Sequence, residues 1–220
     1  MKGKTKEQKL IVRPESKLEV KEVLDEVRNF LGVGSTIIIP QNMVYKDTYF
    51  DDDECSLLEQ GGSLKIREGV INLGTKEKYL VMRVRTKNPK KLKIAPWDEV
   101  EVESIGDIRK FSDNFQPLKG LFPEFDFTKI NQEPILICTT VRSQYQVVVD
   151  ETSTIKLLFD HVEYESKGKK AADYLLKIRS AYQDKSMTDA LYKHLAKKFS
   201  EYEFNYSSRY ERALEKLNSI

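Results

Sequence analysis

Two stretches of the sequence alternate charged with apolar residues, and the two stretches carry opposite signs. Residues 79–87 read as a strand with cations at odd positions, and residues 97–104 as a strand with carboxylates at odd positions. The charged residues are Arg83, Arg85 and Lys87 in the first strand and Glu99, Glu101 and Glu103 in the second. Successive side chains of a strand point to opposite faces, so each set shares one face. Arginine and lysine bind phosphate, and carboxylates bind Mg²⁺ or Mn²⁺, so the pattern predicts a metal–polyphosphate site.

The alternative to such a site is a sheet whose charged face simply lies in water, because any half-exposed antiparallel sheet alternates polar and apolar residues. The sorting of like charges onto separate strands argues against this alternative, since exposed faces usually mix signs. Amphipathic helices expected at 18–31 and 187–199 also need an apolar sheet face to cover. If these helices cover the apolar faces, the charged faces point inward.

The remaining pattern is one of short strands joined by turns. Further strands are expected at 6–12, 36–40, 63–67, 155–161 and 174–180, with a hairpin or a bent strand at 134–149. An acidic run at 51–54 reads as a helix start that Gly61 and Gly62 bring to an end, and a last helix is expected at 209–217. No alternation of strands and helices suggests a parallel sheet. We therefore predict an α+β fold built on a closed or nearly closed antiparallel barrel with flanking helices.

Composition excludes several classes of protein. The 220 residues carry 37 basic and 35 acidic side chains, a balance that argues against a general nucleic-acid coat protein, and we expect no sequence-specific nucleic-acid partner. The two cysteines fit no metal-ligand spacing. With no apolar run of about 20 residues and no signal sequence, we expect no membrane partner and a cytoplasmic location. A monomer and a homodimer both remain open.

Several segments taken in order resemble the triphosphate tunnel superfamily, which includes CYTH domain proteins and the polyphosphate polymerase domain of the VTC complex. Its core is similar to Tyr49-Phe50-Asp51, Leu57-Leu58, Gly61-Gly62 and Leu64-Lys65-Ile66-Arg67 in this chain. Its opening acidic strand is similar to residues 5–9, and Ser208-Arg209-Tyr210 is similar to a segment of the polymerase branch. The resemblance spans nearly the whole chain. It implies a single domain over residues 1–220, an eight-stranded antiparallel tunnel that binds triphosphate with a divalent cation.

This resemblance, together with the charge pattern, assigns roles to fourteen residues. The cations expected to bind phosphates are Lys9, Lys65, Arg67, Arg83, Arg85, Lys87, Arg142, Lys177 and Arg179. The expected catalytic carboxylates are Asp160 and Glu7, and the expected ligands of Mg²⁺ or Mn²⁺ are Glu99, Glu101 and Glu103. The expected ligand is a triphosphate, a polyphosphate or a nucleoside triphosphate, and the expected activity is metal-dependent hydrolysis of a phosphoric anhydride.

Departures from the family pattern keep other functions open. Thr5, Lys177 and Arg179 stand at positions that are usually acidic, and each such change removes a metal ligand. A binding module that senses polyphosphate or a nucleotide without hydrolysis therefore remains an alternative, as do a polymerase of the VTC type and a plain sheet protein that binds a partner.

Four further residues are given structural interpretations. Arg209 is expected on the surface of the last helix, with a contact to the site as the alternative. His161 is expected outside the barrel, His194 in solvent, and Cys138 in strand packing, because no histidine is placed to activate that thiol.

Overall fold

The structure, a computed structural model, describes most of the chain. The described residues are 5–12, 20–32, 36–71, 75–85, 92–96, 124–151, 153–181, 185–199, 202–204 and 209–219. Side chains are described over residues 20–32, 41–69, 124–151, 153–180, 186–199 and 209–219. Statements about contacts below refer to these residues.

The described residues form nine β-strands and four α-helices. The strands are β1 (Thr5–Val12), β2 (Thr36–Phe50), β3 (Gly62–Ile71), β4 (Thr75–Arg85), β5 (Leu92–Pro96), β6 (Leu136–Val148), β7 (Thr154–Ser166), β8 (Lys169–Ala181) and β9 (Tyr202–Phe204). The helices are α1 (Val20–Leu31), α2 (Ser56–Glu59), α3 (Lys185–Lys198) and α4 (Arg209–Asn218), and a 3₁₀ turn covers Phe127–Lys129.

The nine described strands follow one another in the sheet in the order β5-β4-β3-β2-β6-β7-β8-β1-β9. The pairs β1–β8, β1–β9, β3–β4 and β4–β5 are antiparallel. The predicted α+β class with an antiparallel sheet is therefore confirmed. Closure into an eight-stranded barrel stays a prediction, because the acidic strand expected at 97–104 lies outside the described residues.

The chain divides into two compact units, and the first comprises Met1–Val44, Thr140–Glu163 and Ala172–Tyr206. Its core forms where the apolar stripes of α1 and α3 meet residues of β6, β7 and β8. The buried core residues are Val23, Val27, Val147, Ile155, Leu157, Phe159, Leu176, Ile178, Leu191, Leu195 and Phe199. The strand residues in this core are alternate ones, so the helices cover one face of these strands and the intervening residues occupy the other face.

The second unit comprises Tyr45–Thr139, Tyr164–Ala171 and Ser207–Ile220. Helix α2 ends at Glu59, and Gly61 follows with a φ of 75°, a left-handed conformation that glycine adopts without strain; β3 begins at the next residue. The turn between β7 and β8 has positive φ at both Lys167 and Gly168, as a two-residue hairpin turn requires. The prediction of a single domain over residues 1–220 stays a prediction.

Two elements differ from the sequence prediction. β2 does not stop at Pro40 but continues to Phe50. The helix expected from the acidic run at 51–54 up to Gly61 is shorter and begins only at Ser56. Asp51 and Asp52 instead accept backbone N–H groups of residues 56–58 at the start of the four-residue α2. Residues 136–148 form one strand, which is the second of the two alternatives predicted for 134–149. The extra length of β2 matters most, because it carries a buried carboxylate into the site.

Candidate functional site

In the second unit, three cations converge on one buried carboxylate. The carboxylate belongs to Asp47 of β2, and the cations are Lys65 and Arg67 of β3 and Arg209 of α4. We call these four residues the Asp47 cluster. Asp47 is 0% exposed, and the side chains of Lys65 and Arg209 are 2% and 8% exposed. Cations that could lie in water are thus held inside the unit.

The contacts to Asp47 are short and directional. Arg67 donates from Nε to Oδ1 and from Nη2 to Oδ2, both at 2.5 Å, which is the side-on fork of an arginine–carboxylate pair. Lys65 donates from Nζ to Oδ2 at 2.5 Å. Arg209 Nη1 lies 3.5 Å from the same oxygen. The three cations and the one carboxylate of the cluster therefore sum to a formal net charge of +2.

Two tyrosines of β2 flank the Asp47 cluster on alternate strand positions. The guanidinium of Arg67 lies over the ring of Tyr45 at 4.2 Å from the ring centroid, and that of Arg209 lies at 5.5 Å. Arg209 also donates from Nη1 to the Tyr45 hydroxyl at 3.2 Å. Lys65 donates to the Tyr49 hydroxyl at 3.3 Å. Aromatic faces and hydroxyls thus fix the positions of the cations as well as stabilise their charge.

The cluster also controls protonation. Burial alone would raise the pKa of Asp47, but ion pairing with Lys65 and Arg67 outweighs burial and holds that pKa well below its usual range. Burial opposes the charge of Arg67, yet its hydrogen bonds to Asp47 raise the Arg67 pKa. Asp47 and Arg67 therefore both remain ionised at neutral pH.

Helix α4 is attached beside the Asp47 cluster by its first two residues. Arg209 joins the cluster, and the next residue, Tyr210, donates from its hydroxyl to Asp51 at 3.2 Å and stacks on Tyr49. Burial raises the pKa of Asp51 against the opposing effect of the backbone N–H groups that it accepts. Burial likewise raises the pKa of Tyr210. The helix start is therefore joined to β2 by both ionic and aromatic contacts.

In the first unit, a second buried carboxylate binds two cations. Asp160 of β7 is 0% exposed and accepts two hydrogen bonds from Arg142 of β6, from Nε at 2.6 Å and from Nη2 at 2.8 Å. Lys177 Nζ of β8 lies 3.0 Å from Asp160 Oδ2. We call these three residues the Asp160 cluster. Each alternates along its strand with residues of the helix-covered core, such as Phe159 and Leu176, so the charged residues lie on the face opposite the helices, as predicted.

The strand register places four further candidates whose side chains are not described. Glu7 is paired with Arg179 and Lys9 with Lys177 across β1 and β8. Arg83 of β4 is paired with Ser63 of β3. Directly paired residues of antiparallel strands share a face, so Lys9 joins the face of Lys177, and Arg83 and Arg85 join the face of Lys65. Arg179 is partly exposed.

The remaining candidates lie outside the described residues: Lys87, Glu99, Glu101 and Glu103. Among the side chains that are described, no group of three or more His, Cys, Asp or Glu residues is placed to hold a metal ion. The assignment of a Mg²⁺ or Mn²⁺ site stays a prediction. None of the described helices is long and apolar enough to cross a membrane.

Sequence reasoning missed Asp47 and misplaced two other residues. Asp47 had a signal, since Tyr45, Asp47 and Tyr49 alternate along one strand, but its partners lie 18 to 162 residues away. Arg209 is not a surface residue but a member of the Asp47 cluster. His194 is not simply solvated, because its Nε2 lies 2.6 Å from Glu26 Oε1.

The interpretations of the other two residues agree with the structure. Cys138 is fully buried in strand β6, as predicted, and burial raises its pKa to about 12. His161 stacks on Tyr174 with ring centroids 4.7 Å apart, on the strand face opposite Asp160.

Comparison with known proteins finds similarity in structure only. No protein-family model matches the chain, and no curated protein matches it in sequence. A structure of a protein from Pyrococcus horikoshii matches with a TM-score of 0.54 at 17% identity, covering 96% of this chain and 99% of the other. A candidate adenylate cyclase from Bacillus halodurans matches with a TM-score of 0.54 at 19% identity, covering 94% and 95%.

A third structure is that of a candidate adenylyl cyclase from Hippeastrum with a dominant triphosphatase activity. It matches with a TM-score of 0.60 at 15% identity, covering 95% of this chain and 94% of the other. Each similarity extends over nearly the full length of both chains. At these identities the comparisons show that the chain shares its fold with these three proteins.

Proposed function

We propose that the chain binds a triphosphate-containing ligand through the cations of the Asp47 cluster and hydrolyses one of its phosphoric anhydride bonds. The observation that carries this proposal is the convergence of Lys65, Arg67 and Arg209 on Asp47, which brings three cations together at one buried position. Buried cations destabilise a fold unless they are paired or bind an anion. A polyanion is the ligand that such a group of converging cations attracts.

The charge pattern and the fold both support a triphosphate rather than a single phosphate. By register, Arg83 and Arg85 extend the face that carries Lys65 and Arg67, so the cations follow a line of several residues. The Hippeastrum protein, whose solved structure has the same fold, has a dominant triphosphatase activity. A chain of phosphates matches a row of cations better than one phosphate does. We therefore place this chain with the triphosphate tunnel superfamily as part of the proposal.

In the proposed reaction, the protein positions the phosphates and neutralises the charge that develops as the bond breaks. Arg67 and Lys65 bind non-bridging oxygens of the phosphate chain. Asp160 and Glu7 are the carboxylates predicted from the sequence to orient an attacking water. Glu99, Glu101 and Glu103 are the proposed ligands of a divalent cation, which would supply charge neutralisation when bound.

A second candidate function is binding without hydrolysis, and Lys177 favours it. This cation stands where the family usually has a metal-binding glutamate, and it lies against Asp160, which is itself a proposed catalytic residue. An aspartate held by both Lys177 and Arg142 is a weak base for activating water. In this reading the protein retains the ligand and releases no phosphate.

The test is phosphate release from inorganic triphosphate and from ATP, measured with Mg²⁺, with Mn²⁺ and with a chelator. Hydrolysis predicts release that requires the metal and falls about 100-fold or more in Lys65→Met and Arg67→Met, as when a preorganised donor is removed. Arg28→Met is the matched control, because Arg28 is an exposed cation of α1 paired with Asp25. It should hydrolyse like the wild type.

Thermal stability in the presence of inorganic triphosphate distinguishes the two candidates. A ligand at 100 times its dissociation constant adds roughly 2.7 kcal/mol of apparent stability. Stabilisation without phosphate release supports the binding module. If the wild type shows neither stabilisation nor release, the proposed function is wrong.

A further inference from the structure

Asp47 contacts one side of the Arg67 guanidinium and leaves the other side for a ligand. In the guanidinium of Arg67, Nε and Nη2 both donate to Asp47. The planar geometry of the group turns the third nitrogen, Nη1, away from the carboxylate. No described residue accepts a hydrogen bond from Nη1. Asp47 and the Tyr45 ring thus hold Arg67 from behind, with one amino group directed elsewhere.

The same carboxylate offsets repulsion among the cations. Lys65 Nζ, Arg67 Nη2 and Arg209 Nη1 all approach Asp47 Oδ2, within 3.5 Å at most. Three like charges around one oxygen atom would repel strongly without the anion, because little water is present to screen them. In the protein without ligand, the negative charge of Asp47 therefore offsets the repulsion that a phosphate group would otherwise offset.

We propose that Asp47 is a built-in counter-ion that assembles Lys65, Arg67 and Arg209 before the ligand arrives and limits how tightly they hold it. This inference rests on the proposed function and concerns the regulation of the same site. A ligand phosphate must share the cations with a carboxylate that never leaves. Removing the Asp47 charge has two opposite effects: the ligand-free protein loses stability, and the affinity for triphosphate rises.

The test compares Asp47→Asn with Asp51→Asn. Asp51 is also fully buried in the same segment, but it accepts hydrogen bonds from backbone N–H groups and from Tyr210 rather than from the cations. Inorganic triphosphate is titrated into each protein by calorimetry, and thermal stability is measured with and without it. Asp47→Asn should unfold at a lower temperature without ligand and should bind triphosphate about tenfold more tightly than the wild type. Asp51→Asn should keep the wild-type affinity.

A second variant covers the case in which Asp47→Asn does not fold. Asp47→Asn combined with Arg209→Gln removes one charge of each sign, so the four positions still sum to two positive charges. It should fold more stably than Asp47→Asn and bind triphosphate at least as tightly as the wild type. Unchanged or weaker binding by a folded Asp47→Asn, or weaker binding than the wild type by the double variant, overturns the inference while leaving the proposed function intact. Absence of binding by the wild type overturns both.

Discussion

Breaking the Asp160 cluster should cost far more stability than breaking an ion pair on the surface. Arg142 donates two hydrogen bonds of 2.6 and 2.8 Å to a carboxylate that is fully buried. Arg142→Met leaves Asp160 with the neighbouring Lys177 at 3.0 Å. Removing one partner of a buried ion pair costs about 3–5 kcal/mol, and the remaining cation places this variant near the lower end, at about 3 kcal/mol.

The assay is urea unfolding followed by circular dichroism, together with thermal unfolding. A loss of about 3 kcal/mol lowers the unfolding temperature of a chain of this length by roughly 6–12 °C. The control is Lys170→Met, because Lys170 lies 3.5 Å from Glu165 and is 74% exposed. Exposed pairs of this kind contribute about 0–1 kcal/mol. If Arg142→Met costs no more than Lys170→Met, Asp160 does not depend on Arg142 for its charge in the folded protein.

Three further predictions concern single groups. The pKa of Asp47 is lower in the folded protein than in the unfolded chain, where it is about 3.9. Its charge therefore stabilises the fold fully above about pH 4, and this stabilisation is lost as the pH falls toward the pKa of the folded protein. The difference in unfolding free energy between wild type and Asp47→Asn should stay constant at neutral pH and shrink below about pH 4. Tyr210→Phe removes one hydrogen bond to Asp51 but keeps the aromatic ring, so chemical unfolding should show a loss of about 1 kcal/mol, and a loss above 3 kcal/mol would contradict this. Because Cys138 is fully buried with a pKa raised to about 12, a thiol reagent should modify Cys55 in the folded protein and Cys138 only after unfolding; early modification of both would be inconsistent with this burial.

The periodic elements could be predicted from sequence because their signal is local. The spacing of apolar residues predicted α1 within two residues of its observed start, and alternation predicted that Lys65 and Arg67 share a strand face. The same alternation predicted that Arg142 shares a strand face with Cys138 and Thr140. All three residues are buried in the structure. These features depend on neighbouring residues alone, and local periodicity is what the sequence displays directly.

The partners of these residues could not be predicted because they depend on contacts far apart in the chain. Asp47 meets Arg209 across 162 residues, and apart from the resemblance of Ser208-Arg209-Tyr210 to a family segment, the local pattern is that of a solvated residue at the start of a helix. The continuation of β2 through Pro40 was missed for a different reason. Proline has no N–H to donate to a neighbouring strand, so it usually marks the end or edge of a strand. The structure shows that this position tolerates it.

A crystal structure of the protein soaked with inorganic triphosphate tests the central claim most directly. The prediction is that phosphate oxygens lie within hydrogen-bond distance, about 3 Å, of Lys65 Nζ and of Arg67 Nη1, with Asp47 still bound to the opposite side of the guanidinium. Triphosphate found only on exposed lysines such as Lys167, Lys169 and Lys170, with the Asp47 cluster unchanged and without a phosphate contact, would contradict it.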